Sequence, residues 1–273
     1  MSAMTQFTAS RRRGATGVLI LCSLAAVFVL GPVAYANNIP PGDGDEFPPL
    51  SLFFGDPDRP GQGPPDHVSP PGLEKLSETH FRFGGEWAPP HGRWLVSYEI
   101  DADPDPFLDA QFEIINNDPV ARDFVLTLVL PIATPTQWGT LSGGSFSGVL
   151  RDRNGDGAVL ESIPGEPMYM AKMDGADFQP LMEAPQSFTA SGPYQTFVTA
   201  TEHFGVPIPT DSRPTNVTST IEIETMVRLS AYDRATLYAT FVVEPRPEPE
   251  PATMGLLAIG ACTLLFKRRR RRP

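Results

Sequence analysis

One short run of this sequence has the residue types that a hard cation prefers. It is DRNGDG at residues 152–157, in which Asp152, Asn154 and Asp156 place oxygen atoms at alternate positions and glycine allows sharp bends. An EF-hand is excluded, because its twelfth position would be Ile163 and Glu161 falls two residues early. We therefore expect either a looser calcium site or a hairpin turn that uses Asn-Gly and Asp-Gly for backbone reasons.

A second acidic group lies in a stretch interrupted by two prolines. It comprises Glu99, Asp101, Asp103, Asp105 and Asp109. Alternate residues of an extended chain point the same way, about 7 Å apart, so these carboxylates can share a cation. The same spacing is typical of a solvated acidic loop, and both interpretations stay open.

The sequence contains no local motif for catalysis. Its four histidines are scattered, with no HExxH pair. The run GSFSG at 144–148 has its serines in the wrong places for a nucleophile elbow. A pair of carboxylates for glycoside hydrolysis needs no local motif. A secreted hydrolase acting on polysaccharide therefore remains the alternative to a non-enzymatic protein, which is the function we expect.

Aromatic side chains stack on sugar rings when they are exposed and fill the core when they are buried. We expect most of them in the core, and any exposed one is a candidate for contact with polysaccharide. The candidates are Trp87, Trp94, Trp138, Tyr98, Tyr169, Tyr194, Tyr232 and Tyr238.

Short segments that alternate between apolar and polar residues fill the middle of the chain. HFRFGGEW, RWLVSYEI and AQFEIIN are examples, and RDFVLTLVLPI has two apolar faces, which is typical of a central strand. Turn residues separate these segments at fairly regular spacing. This pattern predicts an all-β protein, an antiparallel β-sandwich that is immunoglobulin-like or jelly-roll-like.

Two strand pairs are predicted to form hairpins. SFSGVLRD and AVLESI flank the run at 152–157, whose Asn-Gly and Asp-Gly dipeptides favour a hairpin. VTSTIEIETMVRLSA and ATLYATFVVE are separated by a turn around residues 232–234. We expect the second pair to be the last hairpin of the sandwich.

Charge is distributed very unevenly along the chain. The segment from Asp43 to Glu250 contains all 32 acidic residues but only 12 of the 21 basic ones, so its net charge is 12 minus 32, or −20. Such a surface repels nucleic acid and other polyanions. Both cysteines, Cys22 and Cys262, lie in the terminal apolar runs, so no disulfide is expected to stabilise the acidic segment.

The N-terminal segment has the three parts of a signal peptide. A basic region at 11–13 precedes an apolar run, and Ala34 and Ala36 supply the small residues that signal peptidase requires. We expect cleavage after Ala36. An uncleaved membrane anchor is the alternative.

The C-terminal segment has the parts of a membrane anchor. A Pro/Glu tether precedes 15 apolar or small residues at 252–266, which is short for a spanning helix. A basic block follows and is expected to stay cytoplasmic. Its residues are Lys267, Arg268, Arg269, Arg270, Arg271 and Arg272.

Pro249, Glu250 and Pro251, followed by the short apolar segment and the basic block, resemble the PEP-CTERM sorting signal. The resemblance implies that exosortase, a membrane transpeptidase of Gram-negative bacteria, cuts near the motif and releases the protein from the inner membrane. An ordinary tail anchor is the alternative. The runs at 112–132 and 149–160 are also similar to ectodomains of PEP-CTERM proteins, which supports the fold and implies no activity.

These observations predict an exported cell-surface or extracellular-matrix protein with a binding or structural ectodomain. A permanently anchored envelope protein is a further alternative. The predicted organisation is a signal peptide at 1–36, a Pro/Gly-rich extended arm at 37–78, a β-sandwich ectodomain at 79–244, a tether with the PEP motif at 245–251, a transmembrane helix at 252–266 and a cytoplasmic tail at 267–273.

Overall fold

A computed structural model describes residues 50–55, 66–68, 72–77, 79–103, 105–132, 134–136 and 139–246. The chain divides into two compact units, Met1–Tyr35 and Ala36–Pro273, and all the described residues lie in the second. The predicted signal peptide, sorting motif, transmembrane helix and basic tail lie outside these residues, as does Trp138. No helix formed by the described residues is long and apolar enough to cross a membrane.

The described part of the chain folds into β-strands joined by turns and loops, without an α-helix. This confirms the predicted all-β class. The strands are β1 (Ser51–Gly55), β2 (Asp66–Val68), β3 (Gly72–Lys75), β4 (Phe81–Trp87), β5 (Trp94–Asp103), β6 (Phe107–Asn116), β7 (Arg122–Pro131), β8 (Thr140–Arg151), β9 (Ala158–Ser162), β10 (Tyr169–Met173), β11 (Ala176–Leu181), β12 (Ser187–Ala190), β13 (Thr196–Val198), β14 (Glu202–Phe204), β15 (Asp211–Arg213), β16 (Thr220–Leu229) and β17 (Arg234–Pro245).

The strands form two antiparallel sheets. The eight-stranded sheet has the order β11-β10-β16-β7-β1-β2, with β9 pairing with both β12 and β16. The nine-stranded sheet has the order β8-β17-β6-β5-β4-β3, and β13, β14 and β15 all pair with the other edge of β8. The two sheets enclose one apolar core, so the predicted antiparallel β-sandwich is confirmed.

Alternation of apolar residues determines which side of most long strands faces the core. In β17, Leu237, Ala239 and Phe241 are fully buried, while Tyr238 between them is 42% exposed. In β7, the buried residues face the other sheet, and the strand pairs with both β1 and β16. The prediction that β7 is a central strand is therefore confirmed.

Both predicted hairpins are wrong. β8 and β9 belong to different sheets, and so do β16 and β17. β8 pairs with β17 instead, and β16 pairs with β7. Alternation identifies the buried face of a strand, and that face is the same whether the chain turns back within a sheet or crosses to the facing one. The run at 152–157 is therefore a crossover between sheets.

The sheets begin within the range that was predicted as an extended arm. β1, β2 and β3 all lie between residues 37 and 78. Leu52 and Phe54 of β1 are buried because β1 lies alongside β7 in antiparallel register. The domain boundary at residue 79 remains a prediction from composition.

We expect the two faces of β17 to differ sharply in their contribution to stability. Replacing the buried Leu237 in Leu237→Ala should lower the free energy of unfolding by about 2 to 5 kcal/mol, because the variant loses apolar contacts and leaves a cavity. Tyr238→Ala is the control on the exposed face and should change it by about 0.5 kcal/mol or less. Urea titration measures both. Equal losses in the two variants would contradict the assignment of the core face.

Candidate binding site at the crossover end

Four loops that cross between the sheets meet at one end of the sandwich. They are residues 117–121, 152–157, 191–195 and 230–233. Backbone hydrogen bonds connect them: Asp152 N–H donates to Gln195 O, Asn116 N–H to Asp233 O, and Tyr232 N–H to Asp118 O. We call these four loops the crossover end.

The Asp152 carboxylate holds two of these loops together. It is completely buried and accepts backbone N–H groups from Asn154 at 3.1 Å, Gly155 at 2.8 Å, Gly157 at 3.3 Å and Tyr194 at 2.7 Å. Removal from water raises the pKa of this carboxyl. The four N–H groups together lower the pKa by more than that, so it lies below its ordinary value. Asp152 is therefore held as an anion that satisfies buried backbone donors.

The three predicted calcium ligands lie in one loop, but the oxygen atoms of two of them, Asp152 and Asn154, already have partners. Asn154 Oδ1 accepts the N–H of Asp156 at 3.2 Å, and both carboxylate oxygens of Asp152 accept N–H groups. Among the described residues, no group of three or more acidic, histidine or cysteine side chains is arranged to hold a metal ion. Calcium binding by Asp152, Asn154 and Asp156 stays a prediction, and a cation there would compete with these hydrogen bonds.

Asn116 and Asp233 connect the loops at 117–121 and 230–233 with each other and with the loop at 152–157. Asn116 is fully buried, and its Nδ2 donates to Val120 O and Ser230 O, both at 2.9 Å. The buried Asp233 accepts the N–H of Arg153 at 3.3 Å. Removal from water raises the pKa of the Asp233 carboxyl above its ordinary value, and the nearby carboxylates of Asp152 and Asp156 raise it further, while its hydrogen bonds oppose both effects.

Two exposed tyrosines project from this network with unusual backbone angles. Tyr194 has φ 57° and Tyr232 has φ 61°, a left-handed conformation that is rare for bulky residues. Their exposed fractions are 67% and 43%. Gln195 N–H donates to Gly192 O, which places Tyr194 at the third position of a tight turn, where glycine or asparagine is usual.

Each tyrosine is fixed through its backbone by a residue of another loop. Tyr194 N–H donates to the buried Asp152 carboxylate, and Tyr232 N–H donates to Asp118 O at 3.2 Å. The Tyr194 ring covers Gly155, where an added Cβ would lie 3.1 Å from the ring. The strained backbone is therefore maintained by the surrounding structure, and strain of this kind concentrates at functional sites.

The other predicted aromatic candidates have different places in the sandwich. Trp94, Tyr98 and Tyr169 are buried in the core, and Trp87 is half-buried, its ring 4.4 Å from that of Trp94. Tyr238 is exposed on the outer face of the nine-stranded sheet, within β17 and outside the four loops. The crossover end therefore combines Tyr194 and Tyr232 from the predicted set.

The second acidic group lies on that outer face, away from the crossover end. Arg82 forms a bidentate pair with Asp101, at 2.7 and 2.9 Å, and Thr240 donates to Asp109 at 2.7 Å. Asp103 lies at the far end of β5 from Trp94, whose partner is Asn116 at the crossover end. The two predicted acidic groups therefore do not meet, and the second is held by partners of its own.

Sequence reasoning missed Asp174, at the opposite end of the sandwich. Its carboxylate accepts backbone N–H groups from Thr218 at 2.9 Å, Ser219 at 2.7 Å and Thr220 at 3.1 Å. Removal from water raises the pKa of this carboxyl, but these hydrogen bonds lower it well below its ordinary value. The signal was present, because Asp174 and Gly175 form an Asp-Gly dipeptide between β10 and β11.

Asp174 predicts a specific dependence of stability on pH. Because its pKa is lowered on folding, the ionised form stabilises the folded state above the unfolded pKa of about 3.9, and this contribution is lost as the pH falls further. Asp174→Asn should therefore melt several degrees below the wild type at neutral pH, and this difference should shrink below about pH 4. Asparagine tolerates the positive φ at this position.

Thermal melting of wild type and Asp174→Asn at neutral pH and at pH ~3 measures how their difference in melting temperature depends on pH. Asp177→Asn is the matched control, because Asp177 lies in the same hairpin with a 68% exposed side chain and should contribute little. A difference between wild type and Asp174→Asn that stays constant from neutral pH to pH ~3 would contradict the assignment.

Comparison with known proteins identifies one segment of the chain. Residues 249–272 match the PEP-CTERM protein-sorting motif, which confirms the resemblance noted in the sequence. No curated protein and no solved structure matches the chain. A PEP-CTERM motif implies membrane anchoring, processing by exosortase and export. The chain therefore carries a PEP-CTERM sorting motif, which supports sorting by exosortase and export, and the described part of the chain is a β-sandwich.

Proposed function

We propose that this protein acts after export from a Gram-negative cell, at the cell surface or in the extracellular matrix, as a non-enzymatic module that binds polysaccharide through its crossover end. Two exposed tyrosines in strained backbone conformations, fixed by one buried polar network, carry the proposal. Aromatic side chains present a flat apolar face with a polar hydroxyl, which suits the alternating apolar and hydroxylated faces of sugar rings.

The loops that carry the two tyrosines are held by hydrogen bonds, and this rigidity supports a role in binding. The Tyr194 loop is joined to Asp152, and the Tyr232 loop to Asp118 and Asn116. Loops whose backbone is already held in place lose little conformational entropy when a ligand binds. Tyrosine is also favoured in binding loops because it offers a large contact area with few rotatable bonds.

The net charge of the protein indicates which class of polysaccharide it can bind. The segment from Asp43 to Glu250 has a net charge of −20, which repels anionic polymers. We therefore propose a neutral polysaccharide as the ligand. Calcium is not required by this arrangement, since backbone N–H groups already hold Asp152 in place.

Topology favours access to the crossover end while the chain is attached. β17 begins at the crossover end with Arg234 and finishes at Pro245, about 40 Å away for 12 extended residues. The sorting motif follows at Pro249. The tyrosines therefore lie at the end of the sandwich away from the point where the chain continues toward its anchor.

A non-enzymatic role is supported by the partners of three of the acidic side chains. Asp152 and Asp174 accept backbone N–H groups, and Asp101 is paired with Arg82. Carboxylates held in this way serve the fold. Release of reducing sugars from the bound polysaccharide would instead support the hydrolase alternative.

Binding is tested by affinity electrophoresis in gels cast with dextran, galactomannan or hydroxyethylcellulose. We expect at least one gel to retard the wild type. A double variant, Tyr194→Gly with Tyr232→Gly, should lose about tenfold or more in affinity, because it lacks both rings. Glycine adopts positive φ without strain, so the variant should fold at least as stably.

Tyr238→Ala is the matched control, because it removes a tyrosine as exposed as Tyr232 from another face. It should bind like the wild type. Retardation of the double variant equal to that of the wild type, or no retardation of the wild type in any of the three gels, would contradict the proposal.

Sorting is tested through two glutamates in neighbouring Pro-Glu-Pro runs. Glu250 belongs to the matched motif, whereas Glu248 lies just before it. In a host with exosortase, Glu250→Ala should remain with the membrane fraction, and Glu248→Ala should be released like the wild type. The released protein should lack the Arg-rich C-terminal peptide in mass spectrometry. Equal release of both variants, or an intact C-terminus outside the cell, would contradict exosortase sorting and support a permanent or unrelated anchor.

A further inference from the structure

The 152–157 loop contains two dipeptides that are chemically labile, Asn154-Gly155 and Asp156-Gly157. In such pairs the backbone nitrogen of glycine can attack the preceding side-chain carbonyl carbon, because glycine has no side chain to obstruct the approach. At Asn154, a bond forms between Gly155 N and Cγ, the bond from Cγ to Nδ2 breaks, and ammonia leaves. Water then opens the cyclic imide to aspartate or isoaspartate. At Asp156 the same ring forms with loss of water, and no oxidant or reductant is needed.

The backbone N–H groups of both glycines donate hydrogen bonds to one carboxylate, that of Asp152. Gly155 N–H donates to Asp152 Oδ1 at 2.8 Å, and Gly157 N–H donates to Asp152 Oδ2 at 3.3 Å. Attack requires the nitrogen to lose its proton. A nearby negative charge opposes formation of a second anion, and the hydrogen bond stabilises the N–H form.

The surroundings of the loop restrict the attacked side chain as well. Asn154 Oδ1 accepts the N–H of Asp156 at 3.2 Å, which holds the amide in one orientation. The Tyr194 ring covers Gly155. Asp152 itself is fully buried, so its bonds to the glycine nitrogens do not have to compete with water.

We propose that Asn154 and Asp156 are latent imide-forming modification sites, and that Asp152 keeps both of them unreacted in the folded protein. Conversion of Asn154 to isoaspartate would add a methylene group to the backbone and a negative charge beside Asp156 and Asp233. Both changes would disrupt the hydrogen bonds that hold the crossover end. The inference rests on these bonds and is independent of polysaccharide binding.

The test compares full-length wild type and Asp152→Ala during prolonged incubation in warm, mildly alkaline buffer, with peptide mapping by mass spectrometry. Asn154 should deamidate about tenfold or more faster in Asp152→Ala than in the wild type, because a charge-assisted hydrogen bond has been lost. Asp233→Ala is the matched control. It removes a buried carboxylate of the same crossover end that accepts Arg153 N–H and the Ser230 hydroxyl, so it should deamidate at nearly the wild-type rate.

Two results would overturn the inference. One is a folded Asp152→Ala protein that deamidates at the wild-type rate, and the other is equal acceleration in Asp233→Ala. If Asp152→Ala does not fold, amide hydrogen exchange of the wild type decides. The Gly155 and Gly157 amides should exchange at least about a hundredfold more slowly than in an unstructured peptide, and exchange at the peptide rate would refute the proposal.

Discussion

The crossover end depends on one buried carboxylate. Asp152 accepts four backbone N–H groups, three from its own loop and one from the loop that carries Tyr194. A loop that crosses between sheets cannot use the ladder of a hairpin to satisfy its backbone donors, and an unsatisfied buried donor is costly. The Asp152 carboxylate accepts the N–H groups of two loops at once. One of these is the N–H of Tyr194, so the same anion also holds Tyr194 in its strained backbone conformation.

The sorting motif and the proposed recognition surface belong to different parts of the chain. The sorting motif lies at 249–272, after the last residue of β17, while the proposed recognition surface lies at the first residue of that strand. The sandwich separates the two with a core that needs no disulfide, since both cysteines lie in the terminal apolar runs. Its strong negative charge narrows the proposed ligands to uncharged polymers.

The sequence was sufficient to predict the β-sandwich, the buried face of β17 and the central position of β7, because alternation reports burial directly. It did not predict strand partners. Asn-Gly and Asp-Gly at 154–157 favour a tight reversal, but a reversal within a sheet and a crossing between sheets require similar dipeptides. Likewise, Asp152 has the same local pattern whether it binds a cation or backbone N–H groups, because its partner Tyr194 lies 42 residues away. Turn signals mark both positions, because Pro193 precedes Tyr194 and a turn is predicted at 232–234, but the sequence does not indicate that the two tyrosines themselves have positive φ.

The most direct test of this account is an NMR titration of the Asp152 carboxyl carbon in the folded protein, with a chelator present to remove divalent cations. Hydrogen bonds from four N–H groups predict that the pKa of this carboxyl lies below the ordinary aspartate value of about 3.9 even without calcium. A titration midpoint at or above about 3.9 would contradict the account. A crossover end that orders only when calcium is added would contradict it as well.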